Sequence, residues 1–213
     1  MSKLEEYRNT AWEKLAEHVC AALLKKGYAS AAFAGTADEA KSMVLGMVPP
    51  NCSVGIPGSV TVRQLGLIEA LEARNCMIHQ HWGSAYTFED KNKQNMADWY
   101  ITSSNAITRD GMLVNVDGQG NRVAAMAWGK NEIIYVIGMN KVTATLEEAM
   151  QRAHTAAAPA NALRTGTPTP CTKTGYCMDC NSPDRTCRAM LILERAPLDR
   201  VAHVILIGQT LGY

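Results

Sequence analysis

Hydrophobic residues recur at helical spacing at the start of the chain, over residues 4–26. The repeat consists of Tyr7, Ala11, Leu15, Val19 and Ala22. This spacing predicts an amphipathic helix with one apolar face, and Gly27 is a typical residue for its end. We therefore expect residues 1–27 to form an N-terminal helix that packs along one side.

Short apolar runs then alternate with helical patterns up to residue 80. The runs predicted to be strands are 29–34, 53–56 and 76–80, and the predicted helices are 36–47 and 60–74. Thr36 and Glu39 have the spacing of a capping box at the start of the first of these helices. The alternation predicts an α/β fold with a mostly parallel central sheet flanked by helices.

The pattern changes in the second half of the chain, where shorter elements follow a polar, irregular segment at residues 83–98. Apolar stretches separated by turn residues lie at 100–101, 112–116, 123–128 and 133–137. A helix is predicted from Thr145 to about Ala156, and closing strands at 190–193 and 201–207. Residues 157–188 have little periodicity and form a predicted Cys-rich loop, an appendage to a single domain over residues 1–213.

Composition and charge narrow the classes of partner. The chain has 213 residues, a formal net charge of +1 and 19% charged residues. This balance argues against nucleic acid or a membrane surface as a general partner, because both favour a basic excess. No apolar run is long enough to span a bilayer, and the charged start does not resemble a secretory leader, so we expect a cytoplasmic location.

The first candidate site is the small-residue turn that joins a predicted strand to a predicted helix. Gly58, Ser59 and Thr61 lie at this helix start, where unsatisfied backbone amides favour an anion such as a phosphate or carboxylate. In parallel sheets, ligands bind at the carboxyl ends of strands, which is where this turn lies. The alternative is that Ser59 only caps its own helix.

The second candidate site is a set of short polar residues between the apolar stretches of residues 102–123. Its members are Thr102, Asn105, Asn115, Asp117, Asn121 and Arg122. Arg122 can offer a planar fork to a carboxylate or phosphate, so the set predicts a polar pocket for a small anionic ligand. The alternative is that the Asn and Asp residues only stabilise turns through their own backbone.

The segment ITSSNAITRDGMLVNVDGQGNRVAAM, residues 101–126, resembles the LUD domain of lactate-utilisation proteins, long catalogued as a domain of unknown function. The turn IPGSVTVRQLGL, residues 56–67, is similar to that family's turn before a helix, with Pro57 where glycine is usual. The resemblance implies a fold like that of ribose-phosphate isomerase, glucosamine-phosphate deaminase and CoA transferases. It also implies a link to L-lactate oxidation in complexes with iron–sulfur partner subunits, and a hydroxy acid, a phosphate or a CoA ester as the anionic ligand.

An enzyme of the isomerase or CoA-transferase type needs a carboxylate as base or nucleophile. Asp110 and Asp117 are the acids within the segment that carries the resemblance, so they are the candidate catalytic residues. If this hypothesis holds, one of them should face the turn at Gly58.

Four of the seven cysteines lie close together: Cys171, Cys177, Cys180 and Cys187. In a reducing compartment such a cluster is more typical of metal binding or redox chemistry than of disulfides. Four thiolates can bind one zinc ion or one [4Fe-4S] cluster, and the family association favours iron–sulfur. The alternatives are reduced thiols or an adventitious disulfide, whereas Cys20, Cys52 and Cys76 are predicted core residues.

His79 and His81 flank the end of a predicted strand, where they could bind a metal or transfer protons, although a partly exposed polar role is the simpler interpretation.

The sequence leaves three hypotheses for the function. The first is a lactate-utilisation protein that binds a small anion and a metal centre. The second is a free-standing isomerase or CoA-transferase-like enzyme, and the third is a non-catalytic module with a structural zinc.

Overall fold

The computed structural model of the protein describes residues 3–82 and 86–213. Its strands are β1 (Ser30–Ala34), β2 (Ser53–Ile56), β3 (Met77–Gln80), β4 (Trp99–Thr102), β5 (Ala106–Thr108), β6 (Leu113–Asp117), β7 (Glu132–Gly138), β8 (Val142–Thr143), β9 (Ala189–Leu193) and β10 (Ala202–Ile207). Its helices are α1 (Lys3–Lys25), α2 (Ala37–Met47), α3 (Val60–Gln64), α4 (Leu67–Glu72), α5 (Phe88–Met96), α6 (Asn121–Ala127), α7 (Leu146–Arg152), α8 (Ala158–Thr165) and α9 (Pro170–Thr174). A 3₁₀ turn covers Met139–Lys141, and a π-helical turn, Ala153–Ala157, joins α7 to α8.

Six strands form a central sheet in the order β1-β10-β7-β4-β2-β3, and each neighbouring pair is parallel. A second sheet, in the order β8-β5-β6-β9, contains two antiparallel pairs and one parallel pair. The predicted α/β class with a mostly parallel central sheet flanked by helices is confirmed.

Both faces of the central sheet are covered, as parallel sheets require. Because side chains alternate along a strand, Ile134 and Val136 of β7 pack with α2 and α4 on one face. Ile133, Tyr135 and Ile137 pack on the other face with α1, α6 and the second sheet. The N-terminal helix is therefore present, as predicted, and is part of the core through Ala16, Val19 and Leu23. Of the predicted apolar repeat only Val19 is fully buried, and Tyr7 and Ala11 are exposed.

Local signals explain the elements that the sequence predicted well. The Thr36 hydroxyl accepts a hydrogen bond from the Glu39 amide at 3.2 Å, and the Glu39 carboxylate accepts one from the Gly35 amide at 2.7 Å. The same type of cap begins α7, where the Thr145 hydroxyl accepts from the Glu148 amide. These contacts satisfy amides that a helix start leaves unpaired.

Local structure differs from the sequence patterns in four places. Residues 60–74 form two helices, because Gly66 adopts a left-handed φ of 59° between them. The polar segment 83–98 contains α5, whose start is a capping box of Thr87 and Asp90. The apolar stretch 123–128 lies mostly in α6, and the Cys-rich segment 157–188 contains α8 and α9 rather than loop alone.

No helix within residues 3–82 and 86–213 has both the length and the apolar character needed to cross a membrane.

Candidate functional site

A polar cavity of about 170 Å³ lies beside the carboxyl ends of the central strands. Its walls come from the turn at residues 58–61, the segment 103–105 after β4, the α6 start, Lys141 after β7, and α8. An engineered cavity of about 150 Å³ is large enough to bind benzene. The cavity can therefore hold a small organic molecule, and a CoA ester could place only part of itself inside.

Lys141 is the most unusual residue of this cavity. Its side chain is only 4% exposed, and its ammonium donates hydrogen bonds to the hydroxyls of Thr61, at 2.9 Å, and Ser103, at 3.0 Å. No ion pair between Lys141 and a carboxylate occurs in the described parts of the chain. Burial, together with the positive charges of Arg152 and Arg122, lowers the pKa of Lys141 to about 7.

Arg122 and Asp117 form a fixed pair that also lines the cavity. One Asp117 oxygen accepts hydrogen bonds from the backbone amides of Arg122, at 2.8 Å, and Val123, at 3.0 Å. The other oxygen is 3.3 Å from Arg122 Nε. The carboxylate therefore satisfies the first amides of α6 and neutralises Arg122.

Two asparagines hold the guanidinium of Arg122 in place. It donates to Asn105 Oδ1 at 2.9 Å, to Asn115 Oδ1 at 3.2 Å and to the Val116 carbonyl at 2.8 Å. With Asp117 at Nε and the Ser103 carbonyl 3.5 Å from the guanidinium, these contacts direct all five N–H groups of Arg122 to protein acceptors and give the group one orientation.

A second set of cationic and aromatic groups adjoins the cavity, which His81 and Arg164 line. The guanidinium carbons of Arg63 and Arg164 lie 3.9 and 4.4 Å from the centre of the Trp82 ring. His81 Nδ1 is 2.8 Å from Gln94 Oε1, and burial is the main cause that lowers the pKa of His81. Since Asp117 cancels Arg122, the charges of Lys141 and Arg164 give the cavity a positive bias.

The structure brings most of the predicted ligand-binding residues together. Those that line the cavity are Gly58, Ser59, Thr61, Asn105, Asn121 and Arg122. Thr102 and Asn115 do not line it: both are fully buried behind its wall, where Asn115 orients Arg122. Ser59 also caps α3, because its hydroxyl accepts from the Val62 amide, so the capping interpretation holds for this residue as well.

The two candidate catalytic acids are separated. Asp117 lines the cavity, whereas Asp110 lies in the turn between β5 and β6 with a side chain that is 60% exposed. Asp110 accepts a hydrogen bond from the Thr108 hydroxyl and lies 3.8 Å from the ammonium of Lys26. The structure therefore does not bring Asp110 to the cavity.

The sequence did not identify Lys141 or Ser103 as site residues. For His81 it favoured a partly exposed polar role over metal binding or proton transfer, although His81 lines the cavity. A usable signal did exist for Lys141. It follows the buried seven-residue strand β7 at its carboxyl end, where parallel sheets place functional residues.

The four clustered cysteines line a second, smaller pocket of about 10 Å³. Thr186 and Ala158 line both this pocket and the larger cavity, so the two adjoin. Arg185 fixes the segment, because its guanidinium donates to the carbonyls of Cys180, at 2.8 Å, and Cys187, at 2.9 Å.

As donors, the thiols of Cys171, Cys177, Cys180 and Cys187 fit zinc or an iron–sulfur cluster. Within residues 3–82 and 86–213, however, no group of three or more Cys, His, Asp or Glu side chains is arranged to hold one metal ion. The four thiols thus share a pocket without forming a closed ligand set. Among the other cysteines, Cys76 is buried, and Cys20 and Cys52 are partly buried against the core.

Comparisons with known proteins agree with this architecture. The model of one family, described as the LUD domain, matches residues 16–207. The chain is also similar to a crystal structure, at 1.70 Å resolution, of a DUF162 family protein from Deinococcus radiodurans, DUF162 being the former name of the LUD domain. That match has a TM-score of 0.54 and 13% identity, and covers 92% of this chain and 98% of the other, so it bears on the fold alone. No curated protein matches the chain.

Proposed function

The chain belongs to the LUD domain family, and from this premise we propose that its cavity binds a small organic anion, with a 2-hydroxy acid such as lactate as the first candidate. Family membership supports a lactate-utilisation-type protein in general. The ligand, and a role as a subunit in the oxidation of a hydroxy acid, are our proposals.

Buried Lys141 is the observation that carries this proposal. A buried charge is costly unless it is paired, and the described residues provide no carboxylate for this ammonium. A ligand carboxylate or phosphate would supply the missing negative charge. The hydroxyls of Thr61 and Ser103 lie beside the ammonium and can bond a ligand hydroxyl.

Asp117 gives less support to an isomerase or CoA-transferase reaction. Its two oxygens already accept three hydrogen bonds from residues 122 and 123. A carboxylate bound in this way serves to hold α6 and Arg122, and it would have to break these contacts to act as a base or nucleophile.

Thermal unfolding with a panel of anions tests the binding proposal. The panel contains L-lactate, other hydroxy acids, a sugar phosphate and a CoA ester. Ligand binding raises the unfolding temperature by mass action, with about 2.7 kcal/mol gained at a ligand concentration of 100 Kd. We expect Lys141→Met to abolish the response and the exposed control Lys14→Met to retain it.

The absence of a shift with any member of the panel would contradict the proposal, as would an undiminished response in Lys141→Met. The variant itself should fold, because replacing a buried charge by an apolar side chain of similar length is often neutral or stabilising.

As a second function, we propose that Cys171, Cys177, Cys180 and Cys187 bind a metal centre, either zinc or a [4Fe-4S] cluster. The support is that all four thiols line one pocket, which adjoins the anion cavity at Thr186. Binding would draw the thiolates into a common set, and a cluster at this position would suit electron exchange with iron–sulfur partner subunits in the cytoplasm.

Anaerobic purification followed by iron and zinc analysis and a visible spectrum tests the metal proposal. We expect stoichiometric metal in the unaltered protein, loss of metal in Cys177→Ser, and retention in Cys20→Ser, whose thiol lies outside the segment. A colourless, metal-free preparation in which the four clustered thiols titrate freely would refute it.

A further inference from the structure

The amine of Lys141 is placed to do more than attract an anion. We propose that Lys141 is a covalent carbonyl-binding residue, which forms an imine with a 2-oxo acid held in the cavity. This inference rests on the proposed binding of small organic anions, and it adds a ligand class and a chemical step to it.

The position of the amine is fixed from three sides. The backbone of Lys141 belongs to the 3₁₀ turn directly after β7, and the amine lies between the hydroxyls of Thr61 and Ser103. The segment at Gly212 passes close by, since a Cβ added there would lie 3.0 Å from the Lys141 nitrogen. A nucleophile held on a rigid element in this way has little orientational entropy left to lose on reaction.

The charges around the amine favour its neutral form. Burial is the main cause that lowers its pKa, the positive charges of Arg152 and Arg122 lower it further, and the cavity acid Asp117 is committed to Arg122. With a pKa near 7, much of the amine is unprotonated at neutral pH, whereas an ordinary lysine is almost fully charged. An amine attacks a carbonyl carbon in its neutral form, so the lowered pKa suits a nucleophile, while the protonated fraction still attracts an anion.

The rest of the cavity matches a carboxylate adjacent to a carbonyl group. Arg164 lines the cavity and can bind the carboxylate, whereas the N–H groups of Arg122 already donate to protein acceptors. The volume of about 170 Å³ suits a compact 2-oxo acid. The hydroxyls of Thr61 and Ser103, both within hydrogen-bond distance of the amine, can pass protons between nitrogen and oxygen.

The step is balanced without a redox partner. The nitrogen lone pair attacks the carbonyl carbon, a C–N bond forms, and the carbonyl oxygen takes up a proton to give a carbinolamine. The nitrogen loses its two protons, one at each stage, while the hydroxyl group takes up a second proton and leaves as water as the C–O bond breaks and the C=N bond forms. One amine and one ketone thus give one imine and one water, with no change in oxidation state.

Borohydride trapping on the full chain tests the proposal, with pyruvate as the probe. Reduction of the imine leaves a carboxyethyl group on the lysine, which peptide mass spectrometry locates. We expect labelling at Lys141 to exceed that at the exposed Lys14 at least tenfold, although Lys14 is far more accessible to reagent. L-Lactate, which has no carbonyl group, should give no adduct.

Labelling at Lys141 no greater than at Lys14 overturns the imine proposal. If pyruvate or lactate still raises the unfolding temperature in that case, the anion-binding function stands and only the covalent step fails. Lys141→Arg adds a second readout, because it keeps a positive charge but cannot form the imine: we expect it to lose all trapping at this position.

Discussion

At the residue scale, Lys141 links the stability of the fold to pH. Its pKa is about 7 in the folded protein and near 10.4 in an unfolded chain. Between these values the unfolded state binds more protons, so this residue makes the folded state more stable as pH rises from about 7 to 10. Below pH 7 the amine is charged in both states, so the full cost of burying this charge destabilises the folded state.

We therefore predict that the difference in unfolding free energy between the unaltered protein and Lys141→Met depends on pH. Relative to the variant, the unaltered protein should gain up to about 1.4 kcal/mol per pH unit across this window. Urea unfolding of both proteins at pH 6.5, 8 and 9.5 measures it. Parallel stability curves would show that Lys141 has an ordinary pKa.

The two aspartates of the segment 101–126 should respond differently to the same substitution. Asp117→Asn removes the charge that neutralises Arg122 and weakens the cap of α6, so we expect a loss of about 2–3 kcal/mol. Asp110→Asn alters an exposed turn and should change stability by less than about 0.5 kcal/mol. Urea unfolding of both variants checks this, and equal effects would contradict our assignment of Asp117 to a structural network.

At the element scale, two glycines provide a matched pair of substitutions. In Gly55→Ala the new Cβ would lie 2.1 Å from the Gln94 carbonyl, so β2 and α5 would have to separate. We expect a loss of about 3 kcal/mol. Gly46 is the penultimate residue of α2, with no atom within 4 Å of the new Cβ, so Gly46→Ala should gain about 0.5 kcal/mol. Thermal unfolding reports both signs, and a destabilised Gly46→Ala would contradict this account of α2.

Elements were predictable from sequence where a local signal determines them. The cap of Thr36 and Glu39 begins α2, and short apolar runs matched β2 and β10 closely. α5 was missed because nearly all its residues are polar, and its buried Lys91 and Gln94 do not form an apolar repeat. α6 was missed because its apolar stretch follows glycine-rich turns that resemble hairpin signals, and tertiary packing on the second sheet decides its conformation.

At the scale of the whole molecule, the site depends on contacts that the sequence cannot reveal. Thr61 and Lys141 are 80 residues apart in the sequence. Their hydrogen bond exists only because the fold brings α3 next to the carboxyl end of β7. The Asn and Arg residues of the segment 101–126 were found because they lie close together in sequence. Lys141 had no such neighbours, and its burial without a carboxylate is a property of the fold.

The same convergence predicts which parts of the chain a bound anion should stabilise. A ligand that contacts Thr61, Ser103, Arg122 and Lys141 bridges four segments that are distant in sequence, so it should slow local opening in all of them together. We expect amide hydrogen exchange with saturating L-lactate to show added protection in peptides covering residues 57–65, 101–108, 117–124 and 139–145. Helix α1 packs on the other face of the sheet from α2 and contributes no residue to the cavity, so its protection should change little.

Lys141→Met is the control and should remove the protection in all four segments, because each depends on the same bound ligand. Protection limited to one segment would mean that the anion binds elsewhere. Equal protection across α1 would mean that the anion acts on global stability alone.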